Sequence, residues 1–172
     1  HVNMQPIRAS AERIFELLDT PVDVADHPEA IEMPAPPQDI VFENVSFRYG
    51  DTTVLQSIEL HVKAGEKVAL VGASGSGKTT LVSLLLRFFD VSDGRLLMDG
   101  HDVRDYTMES IRRHIGLVTQ DTFLFNDTVA NNIRYGNVDA TMEEVQAAAR
   151  LAHAHDFVSV MDGRCGSTMK QR

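Results

Sequence analysis

Apolar and polar positions change rhythm several times along this chain. Residues 9–18 carry Ala11, Ile14, Phe15, Leu17 and Leu18 at helical spacing, which predicts a short amphipathic helix. Residues 40–47 (Ile-Val-Phe-Glu-Asn-Val-Ser-Phe) read as a strand, and residues 54–62 as a second with Ile58, Leu60 and Val62 on one face. Residues 67–71 form an apolar, β-branched run of the kind that makes a buried parallel strand, and residues 115–119 predict another strand. Helical patterns follow at 77–89, 107–113, 128–133 and from 141 to about 160. In the last of these Thr141-Met142-Glu143-Glu144 fits a capping box. Residues 95–98 predict a strand, and Asp99-Gly100 after it is a hairpin-type turn signal. The sum is an α/β chain with an antiparallel patch at its start.

The junction between the 67–71 strand and the 77–89 helix holds the strongest chemical signal. Gly72-Ala73-Ser74-Gly75-Ser76-Gly77-Lys78-Thr79-Thr80 fits G-x-x-x-x-G-K-[ST], the phosphate-binding P-loop, in the strand–turn–helix context the motif needs. Glycines let the backbone curl so that several N–H groups face a polyphosphate, and the helix N-terminus adds partial positive charge. Lys78 is expected to reach the outer phosphates and the Thr79 hydroxyl to ligate Mg²⁺, so the site calls for ATP or a similar nucleotide with Mg²⁺.

Composition narrows the partners. All six prolines precede residue 38, and residues 19–39 hold six acids (Asp19, Asp23, Asp26, Glu29, Glu32, Asp39) with no Lys or Arg. Such a stretch predicts a solvated, semi-extended linker over 20–39. It supplies most of the net charge of −9, which argues against binding nucleic acid or an anionic membrane. One cysteine, Cys165, excludes a disulfide framework and fits a reducing compartment. No window approaches the ~18 apolar residues that span a bilayer. His153 and His155, two apart on the predicted helix, would point to different faces, and solvated histidines are the expected reading.

Several pieces, in order, resemble the nucleotide-binding domain of ATP-binding-cassette (ABC) transporters. Val45-Ser46-Phe47-Arg48-Tyr49-Gly50 resembles the family's aromatic loop, which implies that Tyr49 stacks on adenine. The segment from Val91 to Gly100 resembles the stretch after the P-loop helix. Leu96-Leu97-Met98-Asp99 imitates a Walker B strand, but Gly100 makes Asp99 a turn residue and no glutamate follows. Ile115-Gly116-Leu117-Val118-Thr119-Gln120-Asp121 resembles the strand ending in the Q-loop glutamine, which implies that Gln120 contacts Mg²⁺ and the attacking water. Phe123-Leu124-Phe125 and the following Asn126 to Ile133 are similar to the exporter form, whose apolar loop docks on the transmembrane domain. Ser10 to Asp19 resembles the end of the last transmembrane helix of exporters that fuse membrane and nucleotide domains, of the bacterial lipid- and drug-exporter type.

The resemblance implies a P-loop NTPase core, a parallel sheet with helices, with an N-terminal antiparallel β-subdomain and incomplete at its C-terminus; residues 1–19 would be that lead-in, 20–39 the linker and 40–161 a partial nucleotide-binding domain. It implies a place on the cytoplasmic face of the plasma or inner membrane and a second nucleotide-binding domain, in a homodimer or heterodimer. Its implied site is Tyr49, Gly72, Ser74, Gly75, Ser76, Gly77, Lys78, Thr79 and Thr80 for nucleotide, Thr79 and Gln120 for metal, and Lys78 with Gln120 for catalysis. The likeness stops near Met161. Residues 162–172 are polar, carry Arg164, Lys170 and Arg172 against Asp162, and predict a disordered tail, as a truncation or frameshift near Gly163 would produce. The family's Leu-Ser-Gly-Gly-Gln signature, Walker B glutamate and switch histidine do not follow. MgATP binding with poor hydrolysis is therefore expected, and the apolar faces of 68–71 and 115–118 should be under-covered. Two alternatives remain open: a non-catalytic docking fragment, and an unrelated P-loop enzyme such as a small-molecule kinase, for which no lid or acceptor site is visible.

Overall fold

The computed structural model describes residues 5–20, 23–121 and 123–160. The chain forms two compact units, His1–Gly116 and Leu117–Arg172. In the first, helix α1 (Gln5–Leu18) precedes strands β1 (Asp39–Tyr49) and β2 (Thr52–Lys63). Helix α2 (Lys78–Leu85), strands β3 (Asp93–Met98) and β4 (His101–Asp102), a 3₁₀ turn (Val103–Asp105) and helix α3 (Met108–Arg113) follow.

The four strands make one antiparallel sheet in the order β2-β1-β3-β4. Local chemistry sets its turns. Gly50-Asp51 closes the β1–β2 hairpin, with Tyr49 opposite Thr52. Asp99 and Gly100 take φ of 50° and 79°, as the type I′ turn between Met98 and His101 requires. The Asp99 carboxylate does not face a nucleotide site: Oδ1 accepts from the Gln38 and Asp39 amides at 2.8 and 2.9 Å, which pins the start of β1.

Beneath the sheet, Leu81 and Leu84 of α2 pack with Phe42, Val45, Leu96, Met98 and Ile111 in a continuous buried cluster. Full burial of such a side chain contributes about 1.5–3 kcal/mol, so this cluster is what holds α2 against the sheet. The helix is shorter than the 77–89 expected. Arg87 takes φ of 49°, and the Phe88 and Arg87 amides donate back to Ser83 O and Leu84 O, both at 3.0 Å, in a Schellman ending.

The acidic 20–39 stretch is mostly exposed where it is described, but it is anchored to the domain at separate points. Met33 is buried in the core cluster, and its amide donates to Ser110 Oγ at 3.0 Å. Ile31 bridges Tyr106 in parallel register. The Arg87 side chain, 3% exposed, binds Asp26 and the Ala25 carbonyl. A reading from charge and proline alone missed these isolated contacts, because single apolar residues in a polar stretch carry no period.

The apolar runs 67–71 and 115–119 also depart from expectation. Neither has a ladder partner among the described residues, so no parallel sheet is formed there. Val71 and Val118 are 94% and 95% exposed. Buried strand sequences need neighbours on both sides; without them Val71 and Val118 face solvent, while Ile115 packs against the core.

The second unit holds helices α4 (Val129–Arg134), α5 (Met142–Leu151) and α6 (His155–Val160). The capping box forms as predicted, with Thr141 Oγ1 accepting from Glu144 N and Glu144 Oε2 accepting from Thr141 N. The single helix expected to run to about 160 is split. His153, at φ of 54°, ends α5 in a second Schellman turn, its amide and that of Ala154 bonded to Arg150 O and Ala149 O. His153 is thus a turn residue, not a helical one. The tail expected over 162–172 lies outside the described residues.

Candidate functional site: an uncapped helix at the phosphate loop

Helices α3, α4 and α5 each begin at a threonine whose hydroxyl accepts an amide of the first turn. Helix α2 begins differently. Its N-cap is Gly77, in the left-handed region at φ 86°, with no side-chain cap and no acidic residue in the first turn. The amides opening this helix are left for an outside acceptor, and the helix end favours an anion there.

Gly77 also sits where no side chain fits. A Cβ there would lie 2.6 Å from Leu55 Cδ2 and 3.2 Å from Val54 O, so β2 closes directly against the loop and sets its height. Lys78 Nζ lies over the loop, donating to Gly72 O at 3.0 Å, Ala73 O at 2.7 Å and Ser76 Oγ at 3.3 Å. All three acceptors are neutral, so none of these contacts compensates the ammonium charge, which remains available to an anion. Ser74, Gly75, Ser76 and Thr79 are exposed, whereas Thr80 is buried on the inner face of α2 beside Leu81 and Leu84.

At the other end of α2, Arg112 donates to Leu86 O and Arg87 O, both at 3.0 Å. A cation at a helix C-terminus complements the dipole that is positive at the phosphate loop. Arg87 itself extends into the domain, donating from Nε to Asp90 at 3.1 Å and from Nη1 to Tyr106 O at 2.9 Å. Sequence reasoning did not single out Arg87 or Phe89. An arginine directly after Leu84-Leu85-Leu86, with an aspartate three residues on, was the signal that could have found the first.

Tyr49, the last residue of β1, is 46% exposed and lies in the same unit as the loop. Its ring meets Phe47 and Phe89 edge-to-face.

Gln120 belongs to the second unit, where it is exposed; Thr119 Oγ1 donates across it to Asp121 O at 2.6 Å. Beyond it, Phe123 and Phe125 are exposed and Leu124 half-buried. Phe125 touches both Phe123 and Tyr135, at centroid distances of 5.0 and 4.4 Å. Asn132 fixes this loop: its Oδ1 accepts from Phe125 N at 2.8 Å and its Nδ2 donates to Phe125 O at 3.1 Å. Asp127 accepts from Thr128 N and Asn131 Nδ2, and these bonds hold its carboxyl below the usual range.

The family model described as ABC transporter matches residues 55–172, which includes the whole P-loop. The chain belongs to the ABC transporter family. A solved bacterial Atm1-family ABC exporter with ATP bound shares the fold of this ABC chain at a TM-score of 0.88 and 40% identity, over 98% of the chain and 29% of that structure. The ATP-dependent lipid A-core flippase of Syntrophus aciditrophicus is 53% identical over 150 residues, covering 87% of the chain and 25% of the flippase. The putative multidrug export ATP-binding/permease protein YgaD of Bacillus subtilis is 49% identical over 152 residues, covering 87% and 26%. The chain therefore spans about a quarter of the length of the curated relatives it matches. It has the ABC nucleotide-binding fold, and that domain implies ATP binding. Among the described residues no helix is long and apolar enough to cross a membrane.

Proposed function

We propose that this chain is the ATP-binding part of an exporter that moves a lipid or drug-like molecule, working at the cytoplasmic face of a membrane. The observation that carries the reading is the start of α2: an uncapped helix N-terminus at Gly77 with the Lys78 ammonium laid over the loop carbonyls. The donors present suit a polyphosphate: exposed backbone amides, one uncompensated cation and exposed hydroxyls on Ser74, Ser76 and Thr79. In this proposal Gly72 to Thr80 cradles the phosphates, Lys78 neutralises the outer ones and Tyr49 stacks on the base. Thr79 would hold Mg²⁺, which supplies charge neutralisation around the phosphates. The part assigned to Gln120, contact with Mg²⁺ and the attacking water, rests on the resemblance alone.

The proposed cargo class is supported by the names of the relatives, a lipid A-core flippase and a putative multidrug export protein. Docking to a transmembrane domain is assigned to Phe123, Leu124 and Phe125, because Asn132 holds large apolar rings out into solvent, where single loops seldom keep them. A second nucleotide-binding domain would complete the hydrolytic site. The 172 residues hold no Leu-Ser-Gly-Gly-Gln sequence, so on their own they should bind MgATP and turn it over slowly. The exposure of Val71 and Val118 favours a second reading for the isolated chain, a nucleotide-binding and docking module without turnover.

Calorimetric titration with MgATP, beside Lys78→Ala, with phosphate release assayed on the same samples, tests this. Loss of charge-assisted hydrogen bonds of about 1.5–3 kcal/mol should weaken binding roughly ten- to a hundredfold in the variant. Equal affinity in a folded Lys78→Ala chain would overturn the proposal.

A further inference from the structure

The ring of Tyr49 is held by two aromatic neighbours of different origin. Phe47 and Tyr49 are two apart on β1 and so share a face, as in any strand. Their ring centroids are 4.8 Å apart at 89°. Phe89 comes instead from the far end of the P-loop helix. Its ring lies 5.2 Å from Tyr49, again at 89°, and 5.3 Å from Phe47, so the three rings contact one another pairwise. Phe47 is buried and Phe89 half-buried against the core. Tyr49 alone keeps a large exposed surface.

Phe89 reaches this place because the chain leaves α2 through the left-handed turn at Arg87. That turn is fixed by the buried guanidinium, bonded to Asp90, Asp26, Tyr106 O and Ala25 O. Helix α2 therefore has the phosphate loop at one end and, two residues past its turn, the aromatic side chain that abuts Tyr49.

We propose that Phe89 is a positioning residue for the nucleotide base: it holds the Tyr49 ring in the one orientation that receives adenine, and ties that platform to the helix carrying the phosphate cradle. The proposal rests on the reading of Tyr49 as the base platform. A half-exposed tyrosine free to change rotamer must be ordered when the base arrives, and that ordering weakens binding. Edge-to-face contacts on a ring restrict it beforehand. The phosphates need no part of this, so the effect of Phe89 is confined to the base.

The test compares the affinity of the 172-residue chain for MgATP with that for magnesium tripolyphosphate, the same phosphates without a base. The ratio of the two is the readout, since a merely structural defect moves both alike. Tyr49→Ala should lower the ratio roughly five- to a hundredfold. Phe89→Ala should lower it roughly three- to tenfold, with tripolyphosphate binding unchanged. Phe89→Leu, which fills the space without a ring, should lose about as much and serves if the alanine variant does not fold. Phe89→Tyr should restore the ratio, and Tyr49→Ala with Phe89→Ala should match Tyr49→Ala alone within about twofold. An unchanged ratio in both Phe89→Ala and Phe89→Leu, or an equal loss of both ligands, overturns the proposal and leaves the role of Tyr49 standing. An unchanged ratio in Tyr49→Ala overturns that role, and the proposal with it.

Discussion

Replacing Arg87 by alanine should unfold the chain at a markedly lower temperature, and the structure sets the size of the effect. The guanidinium is almost wholly buried and donates to two carbonyls, Tyr106 O and Ala25 O, and to two carboxylates, Asp26 and Asp90. Hydrogen bonds from a charged donor contribute about 1.5–3 kcal/mol each, against a burial cost of several kcal/mol for the ion. The two carboxylates are about one-third exposed, so they rehydrate when the arginine is removed and add little. The net loss should be about 3 kcal/mol, or a fall in Tm of about 10 °C, read by far-UV circular dichroism on heating. Backbone strain does not enter, because alanine meets the same penalty at φ of 49° as arginine does. Arg87→Gly removes that penalty as well, and should be more stable than Arg87→Ala by about 1 kcal/mol. Subtilisin, which needs no basic residue, should also cut the 23–33 stretch faster in either variant, since the anchor of Asp26 is gone. A Tm for Arg87→Ala within about 1 °C of the parent would refute the view that this network holds the linker and the helix exit together.

Two further outcomes follow from local geometry. Gly77→Ala places a methyl 2.6 Å from Leu55 Cδ2 and 3.2 Å from Val54 O at a left-handed φ, so MgATP affinity should fall by at least about tenfold with a loss of 1–3 kcal/mol in urea unfolding. Retained affinity would mean that β2 does not set the loop. Burial acts to raise the pKa of Asp102, but hydrogen bonds and charge from Arg104 outweigh it, and the carboxyl is held below its ordinary value of 3.8. Its contribution to stability is therefore complete above that value and lost as pH falls through the lower folded-state value. Asp102→Asn should destabilise the chain at neutral pH and flatten the acid limb of a Tm-against-pH curve; an unaltered limb would count against the pair.

The features legible in the sequence are those whose cause is local. Alternation along residues 40–47 and 54–62, the Asp99-Gly100 turn and the Thr141–Glu144 box each need only their own residues, and each forms. The phosphate loop was legible for the same reason: its glycines and lysine act within nine positions. Helix ends were harder. Both α2 and α5 stop in Schellman turns made by Arg87 and His153 rather than by glycine, so the helical reading ran on by four residues in one case and merged two helices in the other. The runs 67–71 and 115–119 have strand composition, but a strand is a relation between segments and composition does not supply the neighbour. Arg87 and Asn132 matter through partners distant in sequence or through backbone atoms, which no spacing rule encodes.

The antiparallel pairing of Ile40 with Met98 and Glu43 with Arg95 has a consequence for assembly. Everything from β2 through α2, the phosphate loop included, is an excursion between two strands bonded side by side. Closing a loop of roughly fifty residues costs about 3–4 kcal/mol in chain entropy, and it is the β1–β3 ladder that must meet it. The β1–β2 hairpin can form as soon as its own residues are made. Helix α2 packs on Leu96 and Met98, so the cradle has its full support only when β3 has been synthesised and has returned to β1. During synthesis, the nucleotide site should therefore gain its full support late, from a strand that lies beyond the phosphate loop in the sequence.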